Sequence, residues 1–438
     1  MVELLSPAGT LKSMRYAFAY GADAVYVGQP RYSLRVRNNE FNKVENLASA
    51  IEEAHSLGKK VYVASNVAPH NDKLRSYIRD MEPVVAMKPD ALIMSDPGLI
   101  MLVREHFPDM PVHLSVQANA VNWATVRFWQ RQGLERVILS RELSLDEIEE
   151  IRQRCPEMEL EVFVHGALCM AYSGRCLLSG YINHRDSNQG ACTNACRWEY
   201  SAQEATETET GDLVVKHVEP QGGEAVPVHP EPMLLREKNR PDELIPVYED
   251  EHGTYIMNSK DLRAVQHVKR LVDMGIHSLK IEGRTKSHYY VARTAQVYRQ
   301  AIDDAVAGRE FDFGLMKSLE HLANRGYTEG FYRRHVPSEF QNYEKGASSN
   351  LNQQFVAEVV SADGNWVELD VKNRFERGDL LELITPEGNH RFHLQDMQSS
   401  TGENIEVAPG SGHKVRIPMP VPLTEGSARF AMLMRDVS

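Results

Sequence analysis

Cysteine is scarce in this sequence, which has 5 cysteines among 438 residues. Four of the five lie between residues 169 and 196, in the spacing C-x6-C-x15-C-x3-C; they are Cys169, Cys176, Cys192 and Cys196. Structural cysteines scattered by chance would not concentrate in this way. Four thiolates that converge on one point can hold a tetrahedral metal ion or an iron–sulfur cluster. The fifth, Cys155, is expected to be a small buried apolar residue.

The spacing bears on which group the four thiols hold. Structural zinc sites use short C-x2–4-C knuckles, which Cys192 and Cys196 can form but Cys169 and Cys176 cannot. Iron–sulfur clusters accept wider spacings because their iron corners are spread over a cuboid. Disulfides are disfavoured because the sequence shows no secretory signal and is expected to be cytoplasmic. The pattern therefore favours iron–sulfur, with zinc, disulfides or unliganded thiols as the alternatives.

Other absences narrow the class of protein further. No apolar run approaches the roughly 18 residues of a membrane helix, so no membrane span is expected. The net charge of −12 weighs against general binding to nucleic acids or membranes. The stretch 258–300 nevertheless carries nine Lys and Arg residues and only three acidic ones. It can bind an anionic partner, or its charges can simply lie on solvated helix faces.

Several catalytic motifs are also missing. The sequence contains no H-E-x-x-H, G-x-S-x-G, Walker A or G-x-G-x-x-G pattern, which weighs against metalloproteases, α/β-hydrolases, P-loop enzymes and Rossmann enzymes. Radical chemistry on S-adenosylmethionine needs a third cysteine three residues after Cys196, where Glu199 stands.

Alternating apolar runs and helical patterns predict the fold of the first two thirds of the chain. Eight short β-runs are separated by helical patterns such as 47–57, 97–106, 123–132, 145–154 and 260–274. This alternation predicts an α/β fold with a TIM-like (β/α)8 barrel. The eight runs are 3–5, 24–27, 60–65, 91–95, 112–116, 136–140, 160–165 and 277–281.

Polar residues follow many of these runs. Active sites of such barrels lie at the carboxyl ends of the strands. Any one of these residues can be an ordinary loop cap, but their accumulation at one end predicts a site there. The cysteine segment opens directly after the seventh run, at the same end. The residues include Asn66, Ser95, Gln117, Asn119, Arg141, Glu142, His165, Glu282 and Arg284.

The hydrophobic period changes to two after residue 355. Strand-like runs at 355–360, 366–371, 379–384, 391–394, 414–417 and 430–433 are separated by turn signals. We therefore predict a barrel domain over residues 1–340, with an insertion at about 201–250, and a small all-β barrel over 350–438. Small β-barrels often grip RNA or protein, or they simply stabilise a neighbouring domain.

One segment resembles the signature of the U32 peptidase family at every fixed position. The signature is E-x-F-x2-G-[SA]-[LIVM]-C-x4-G-x-C-x-[LIVM]-S, and it lies at residues 161–179. Segments 4–9, 21–26 and 279–284 also look like that family, and the resemblance covers roughly residues 1–335. Segments 33–41 and 115–123 resemble most the branch that hydroxylates the wobble uridine of tRNA.

The resemblance implies oxygen-independent hydroxylation of tRNA uridine rather than proteolysis. It implies a 4Fe–4S cluster on Cys169, Cys176, Cys192 and Cys196, dependence on prephenate, and the tRNA anticodon region as partner. A collagenase-like peptidase and a non-catalytic RNA-binding scaffold with a structural metal are the alternatives.

Site residues follow from this expectation. Prephenate carries two carboxylates, which Arg binds bidentately, so Arg35, Arg37 and Arg284 are predicted to bind it. His165, Gln117 and Glu282 are predicted to be catalytic. Phosphates flanking the base are predicted to contact Lys260, Lys286, Arg333 and Arg334.

Overall fold

A computed structural model gives the fold. It describes residues 2–34, 39–168, 260–322, 326–333, 353–363 and 365–437, together with the backbone of five strands between residues 205 and 255. Within these residues, no helix is both long and apolar enough to cross a membrane.

The N-terminal region contains a closed barrel of eight parallel strands. The eight barrel strands are β1 (Glu3–Pro7), β2 (Ala24–Gly28), β3 (Lys60–Ser65), β4 (Ala91–Met94), β5 (Val112–Leu114), β6 (Arg136–Ile138), β7 (Glu159–Ala167) and β14 (Ser278–Ile281). The other strands described in this region are β8 (Ala205–Glu207), β9 (Leu213–Val215), β10 (Met233–Glu237), β11 (Arg240–Asp250), β12 (Gly253–Tyr255), β13 (Asp261–Arg263) and β15 (Tyr327–Thr328). Strand β14 pairs with both β1 and β7, and each other barrel strand pairs with its neighbours in chain order. The predicted TIM-like barrel is therefore confirmed.

Helices surround the barrel and bury their apolar faces against it. The described helices of this region are α1 (Leu11–Ala19), α2 (Val44–Ser56), α3 (Asn71–Ala86), α4 (Pro97–His106), α5 (Trp123–Arg131), α6 (Leu145–Arg154), α7 (Val268–Asp273), α8 (His288–Val306) and α9 (Gly314–Glu320). A capping box begins α6: Glu147 N donates to Ser144 Oγ, and Ser144 N donates to the Glu147 carboxylate. These two bonds satisfy N–H groups that a first helical turn leaves unpaired.

The helix predicted over 260–274 is only partly correct. Its first residues form β13, which pairs antiparallel with the end of β7, and a helical segment begins only after it. β7 has nine residues and so extends beyond the parallel barrel pairing, which gives β13 an edge to join. Backbone pairing across β7 thus overrides the helical pattern of the sequence.

The C-terminal region is an antiparallel all-β domain, as predicted. The strands are β16 (Gln353–Asp363), β17 (Trp366–Val371), β18 (Phe375–Glu376), β19 (Leu380–Thr385), β20 (Gly388–His393), β21 (Gln398–Ser399), β22 (Val407–Ala408), β23 (Lys414–Pro418) and β24 (Met432–Asp436). Seven of them form one sheet in the order β20-β19-β24-β16-β17-β23-β21. A short helix, α10 (Glu425–Phe430), precedes β24, where the sequence predicts the start of a strand.

This domain docks on helix α8 of the barrel region. Ile384, Met432 and Met434 are buried and belong to the apolar core of the barrel rather than to that of their own domain. Full burial of such side chains contributes about 1.5–3 kcal/mol each. Arg293 Nη2 of α8 also pairs with Glu382 Oε1 at 3.2 Å, and both residues are buried. Apolar packing and a buried ion pair therefore hold the C-terminal domain against the barrel region.

Candidate active site at the carboxyl end of the barrel

The described members of the predicted site follow the carboxyl ends of neighbouring strands. Because all eight barrel strands are parallel, those ends share one rim. Gln117 follows β5, Arg141 follows β6, and Glu282 and Arg284 follow β14. β7 runs to the same rim. Leu168 is the last described residue there, and Cys169 comes next in the sequence.

Arg141 connects the ends of three strands at this rim. Its Nη1 donates to Ala167 O at 2.6 Å, at the end of β7, and its Nη2 pairs with Glu282 Oε2 at 3.1 Å. The guanidinium carbon lies 3.8 Å from the ring centroid of Phe163, in a cation–π contact. Such a contact contributes about 0.5–2 kcal/mol, with the upper end for desolvated groups. Sequence reasoning noticed Arg141 only as a polar residue at a strand end.

Arg284 reaches from the end of β14 to the loop that follows β2. Its Nη1 donates to Ser33 Oγ at 2.8 Å, and its Nη2 donates to Leu34 O at 2.6 Å. Gly28 makes room for this side chain, because a Cβ there would lie 2.7 Å from Arg284 Nη1. On the other side, Leu34 N donates to Asn66 Oδ1 at 3.1 Å. Two strand ends thus fix the chain immediately before residue 35.

Arg35 and Arg37 lie outside the described residues, so their predicted role in binding a dicarboxylate stays a prediction. Leu34, which Arg284 holds, directly precedes Arg35 in the sequence. Arg284 therefore holds the backbone directly before Arg35, and Arg37 follows two residues later in the sequence.

Gln117 lies in a single 3-10 turn, Val116–Ala118, directly after β5. Asn119 ends the turn with φ 53° and ψ 52°, a left-handed conformation that Asn adopts more readily than most residues. Its Nδ2 donates to Gln117 O at 2.9 Å, which fixes the turn. The Oε1 atom of Gln117 is buried and accepts no hydrogen bond from the described residues.

His165 faces helix α8, although it lies near the end of β7. The register pairs Lys280 with Phe163 and then Ile281 with His165, so Val164 is an extra residue in β7. Such a bulge changes which side of the strand the next side chain occupies. His165 Nδ1 lies 3.3 Å from Tyr298 Oη, and Tyr298 in turn donates to Val164 O at 2.7 Å.

This environment keeps His165 uncharged. Burial disfavours the imidazolium and lowers the pKa of His165 to about 3. The rings of Tyr290, Tyr298 and Tyr327 lie 5.8, 5.5 and 5.5 Å from its own ring. The contacts favour a packing role for His165. A catalytic role stays an untested prediction, and a pKa this low does not suit a general base at neutral pH.

Buried charged side chains form connected ion pairs inside the barrel, below the rim. Lys280 Nζ pairs with Glu161 Oε1 at 2.8 Å, and Arg136 Nη1 pairs with Glu161 Oε2 at 3.1 Å. Arg136 Nη1 also reaches Glu3 Oε1 at 2.6 Å. The sequence did not lead us to predict this network. A signal for it exists, because Glu161, Lys280 and Arg136 are charged residues within apolar β-runs.

The network determines the charge states of its members. Burial is the largest influence on Lys280 and lowers its pKa, although Glu161 opposes this shift. Burial raises the pKa of Glu3, but the charge of Arg136 and hydrogen bonds from Arg136, Tyr62 and Ser278 outweigh it and lower the pKa overall. Lys280 also lies 4.4 Å from the ring centroid of Tyr26 and 5.5 Å from that of Phe163. Phe163 therefore contacts Lys280 of the network as well as Arg141 at the rim.

Family profiles match nearly the whole chain. Peptidase family U32 matches residues 9–342, and the peptidase family U32 C-terminal domain matches residues 351–429. The chain belongs to peptidase family U32. The resemblance found at residues 161–179 is thereby confirmed.

Two curated relatives share the full length of the chain. "tRNA hydroxylation protein P" of Escherichia coli (strain K12) is 64% identical over 100% of this chain and 97% of the relative. The protein of the same name from Haemophilus influenzae is 61% identical over 99% of this chain and 96% of the relative. Among solved structures, the U32 peptidase Mk0906 is 12% identical, with a TM-score of 0.38, over 65% of this chain and 93% of that chain. The barrel assignment rests on the strand pairing rather than on this weak similarity.

The four clustered cysteines, Cys169, Cys176, Cys192 and Cys196, lie outside the described residues, so their predicted ligation stays a prediction. Cys155 is described: it caps the end of α6, is buried, and its Sγ donates to Trp123 O at 3.5 Å. The prediction that Cys155 is a small buried residue is therefore confirmed.

Most cations of the basic stretch 258–300 are neutralised within the fold. Six of the nine form ion pairs within the chain, which weighs against a basic face free to bind an anion. Two of these six, Lys280 and Arg293, are buried and so do not lie on the solvated helix faces of the alternative. Lys260, Arg284 and Lys286 are not among these six. Arg333 pairs with Glu329 at 2.8 Å but is 70% exposed, and Arg334 is outside the described residues. The six pairs are Arg263–Glu320, Lys269–Asp273, Arg270–Asp146, Lys280–Glu161, Arg293–Glu382 and Arg299–Asp23.

Proposed function

We propose that this protein hydroxylates the wobble uridine of tRNA to 5-hydroxyuridine. The observation that carries the proposal is the 64% identity with the E. coli protein named for tRNA hydroxylation, over 100% of this chain and 97% of that protein. Both chains therefore align through the barrel and the C-terminal domain.

The rim supplies suitable chemistry for a nucleobase. The ring carbon of a wobble uridine reaches a barrel site only when the base leaves its stack. A flipped base is recognised by hydrogen bonds to its edge and by contact with ring or apolar surfaces. At the rim, Arg141 provides hydrogen-bond donors, and Gln117 and Glu282 provide acceptors. Arg284 adds a further cation.

The proposal includes prephenate as the hydroxyl source or co-substrate. Replacing the C5 hydrogen of uracil by a hydroxyl group adds one oxygen atom and removes two electrons from the base, so an oxygen-independent reaction needs an oxygen donor and a two-electron acceptor other than O2. Prephenate has two carboxylates, and Arg284 brings a guanidinium to the segment that continues into Arg35 and Arg37. These three arginines are proposed to bind the two carboxylates.

The proposal also includes a 4Fe–4S cluster. Four thiols within residues 169–196 are a donor set that fits such a cluster, and the segment leaves β7 at the rim. Cys169, Cys176, Cys192 and Cys196 would hold it. When bound, the cluster would supply electron transfer or Lewis acidity. The chain's contribution is to anchor the start of this segment, since Arg141 binds Ala167 O two residues before Cys169.

The peptidase alternative has less support from the described residues. A serine or cysteine peptidase needs a basic imidazole beside its nucleophile, whereas His165, the candidate near the end of β7, packs against α8, and burial lowers its pKa to about 3. Within the described ranges, no group of three or more His, Cys, Asp and Glu side chains is arranged to hold a metal. The family name therefore remains the main argument for proteolysis.

The decisive experiment uses an E. coli strain that lacks its tRNA hydroxylation protein. We expect expression of this chain to restore 5-hydroxyuridine-derived nucleosides in digested tRNA, measured by mass spectrometry. The Cys192→Ala variant should fail, and the matched Cys155→Ala variant should succeed. Soluble wild-type protein that restores no modified nucleoside would contradict the proposal, and cleavage of a gelatin substrate by that protein would support the peptidase instead.

The co-substrate is tested separately with purified components. Wild-type protein reconstituted with iron and sulfide under anaerobic conditions is incubated with unmodified tRNA, with and without added prephenate. We expect modification only when prephenate is present. Equal modification without it would retain the hydroxylase and remove prephenate from the proposal.

A further inference from the structure

Two buried polar atoms at the rim lack hydrogen-bond partners within the part of the chain that the structure describes. They are Nε of Arg141 and Oε1 of Gln117. Arg141 uses Nη1 for Ala167 O and Nη2 for Glu282, so its Nε–H is not needed for either anchoring bond. One atom is a donor and the other an acceptor. Buried polar groups rarely stay unpaired in native proteins, so a ligand or ordered water is expected to pair with them.

The two side chains lie just beyond the ends of neighbouring strands, one residue apart in the register. β5 and β6 are parallel, with His113 opposite Arg136. Gln117 is the third residue after the last residue of β5, and Arg141 is the third after the last residue of β6. A backbone bond of 3.1 Å from Ser140 N to Ala120 O holds the two loops side by side. The donor and the acceptor therefore lie on adjacent loops of the same rim.

The side chain of Arg141 and the backbone turn that carries Gln117 are held by contacts that do not involve these atoms. The guanidinium of Arg141 is stacked 3.8 Å from the Phe163 ring centroid, and its side chain is 9% exposed. The turn that carries Gln117 is fixed by Asn119. Groups held in this way bind a ligand with little ordering, which is the condition for selective recognition.

We propose that Arg141 and Gln117 read the edge of the target pyrimidine, an inference that rests on the proposed function. Arg141 Nε–H donates to a ring carbonyl, and Gln117 Oε1 accepts the N3–H of uracil. Uracil offers this N–H beside two carbonyl groups, whereas the N3 atom of cytosine is an acceptor. With its carbonyl oxygen turned to the base, as that atom stands here, Gln117 selects uridine over cytidine.

Substitutions at position 117 separate recognition from packing. Gln117→Leu keeps the approximate size and removes the acceptor, whereas Gln117→Glu keeps an acceptor and adds a charge. We expect Gln117→Leu to lower kcat/KM for tRNA with an unmodified wobble uridine by about 10- to 100-fold. The Gln117→Glu variant should be roughly 10-fold more active than Gln117→Leu. A purely structural role predicts the reverse order, because a buried charge disturbs packing more than leucine does.

Substitution of Arg141 has a matched control in Arg263. Arg263 makes the same three kinds of contact, but with β15 and α9: 4.7 Å to the Tyr327 ring, 3.2 Å to Glu320 and 3.4 Å to Met316 O. Lysine keeps the charge but not the planar fork. We expect Arg141→Lys to lower kcat/KM by about 10- to 100-fold while the iron content stays at the wild-type level, and Arg263→Lys to keep wild-type activity.

The outcomes distinguish this inference from the proposed function. If the wild type does not modify uridine, the proposed function fails. If the wild type is active but Gln117→Leu is equally active, water pairs with these atoms and the inference is wrong. Equal losses for Arg141→Lys and Arg263→Lys, or a Gln117→Glu variant less active than Gln117→Leu, would also overturn it.

Discussion

Arg284 Nη1 donates a 2.8 Å hydrogen bond to Ser33 Oγ, although 251 positions separate the two residues in the chain. The bond joins the end of the last barrel strand to the loop that follows the second. It exists because β14 closes the barrel against β1, which brings the β14 and β2 ends to one rim. The predicted anion site is thus anchored by a contact that only barrel closure creates.

Replacing Arg284 should weaken binding of prephenate. Removal of the guanidinium in Arg284→Ala is expected to cost roughly 2–4 kcal/mol of ligand binding. Arg284→Lys should also bind more weakly, because an ammonium group cannot make both bonds to Ser33 and Leu34. Calorimetric titration with prephenate measures the effect. The control is Arg309→Lys, at an ion pair with Asp304 on an exposed side chain, and it should bind normally. Normal binding by Arg284→Lys would count against the anion site.

Each of the four clustered cysteines should be necessary for metal content. Alanine at Cys169, Cys176, Cys192 or Cys196 is expected to lose iron and activity together, because a cluster with three protein ligands is labile. Iron analysis and visible absorption of anaerobically purified protein measure the result. Cys155→Ala is the internal control, since Cys155 is buried at the end of α6. Unchanged iron in Cys192→Ala would remove that residue from the ligand set.

His165 should make the fold sensitive to acid. Its pKa of about 3 lies below the value of about 6.5 for an unfolded histidine. Between these values the unfolded state binds a proton that the folded state does not. Its contribution to stability is therefore fully present above about pH 6.5 and is lost as the pH falls towards 3, by at most about 1.4 kcal/mol per pH unit.

The variant His165→Phe removes this titration and keeps an aromatic ring among the tyrosines. We expect the urea midpoint of the wild type to fall more steeply than that of His165→Phe between about pH 7 and about pH 5. Parallel curves would show that His165 does not titrate in this way. Loss of activity in a stably folded His165→Phe would instead favour the predicted catalytic role.

The Lys280–Glu161 pair should behave as a buried ion pair. Glu161→Leu leaves the buried Lys280 ammonium without its partner and is expected to lower the free energy of unfolding by about 3–5 kcal/mol. The double variant Glu161→Leu, Lys280→Met should be more stable than that single variant, because no isolated charge remains. Chemical denaturation measures both. The exposed Lys269–Asp273 pair is the control, and Lys269→Met should change stability little. Additive effects at Glu161 and Lys280 would contradict the coupling.

Binding of tRNA should depend on salt and on Arg333 and Arg334, two of the cations predicted to contact its phosphates. Phosphate contacts release counterions, so affinity is expected to fall steeply from low to physiological salt. The double variant Arg333→Glu, Arg334→Glu should weaken binding and leave the visible spectrum unchanged. Arg377→Glu in the C-terminal domain, at a residue paired with Glu406, is the matched surface control. Affinity that ignores both salt and the double reversal would favour a small-molecule or peptide substrate.

Local sequence patterns predict elements whose stability is mainly local. The capping box at Ser144 and Glu147 depends on residues three apart, so the sequence alone predicts the start of α6. The eight β-runs alternate with helices, and right-handed closure of such units leads to a barrel with one functional rim. The same logic predicts that Gln117, Glu282 and Arg284 meet at that rim.

Other features depend on pairing between distant strands. The sequence of β7 predicts regular alternation, but its register with β14 inserts one extra residue at Val164, and this turns His165 towards Tyr298. Residues 261–263 lie in a helical pattern, yet they form β13 because β7 extends far enough to pair with them. A local sequence pattern cannot predict these contacts, because the residues that pair lie about 100 or more positions apart along the chain.

The sequence by itself determined the family, the barrel, the all-β C-terminal domain and the rim at which polar residues collect, because each follows from periodicity, from turn chemistry or from a contiguous signature. Tertiary structure alone decided what those polar residues do there. Arg141 became the link between Ala167, Phe163 and Glu282, and Glu161 became the partner of Lys280. The physical reason is that burial makes a charged group depend on its nearest opposite charge or ring, and only the closed barrel determines which neighbour that is.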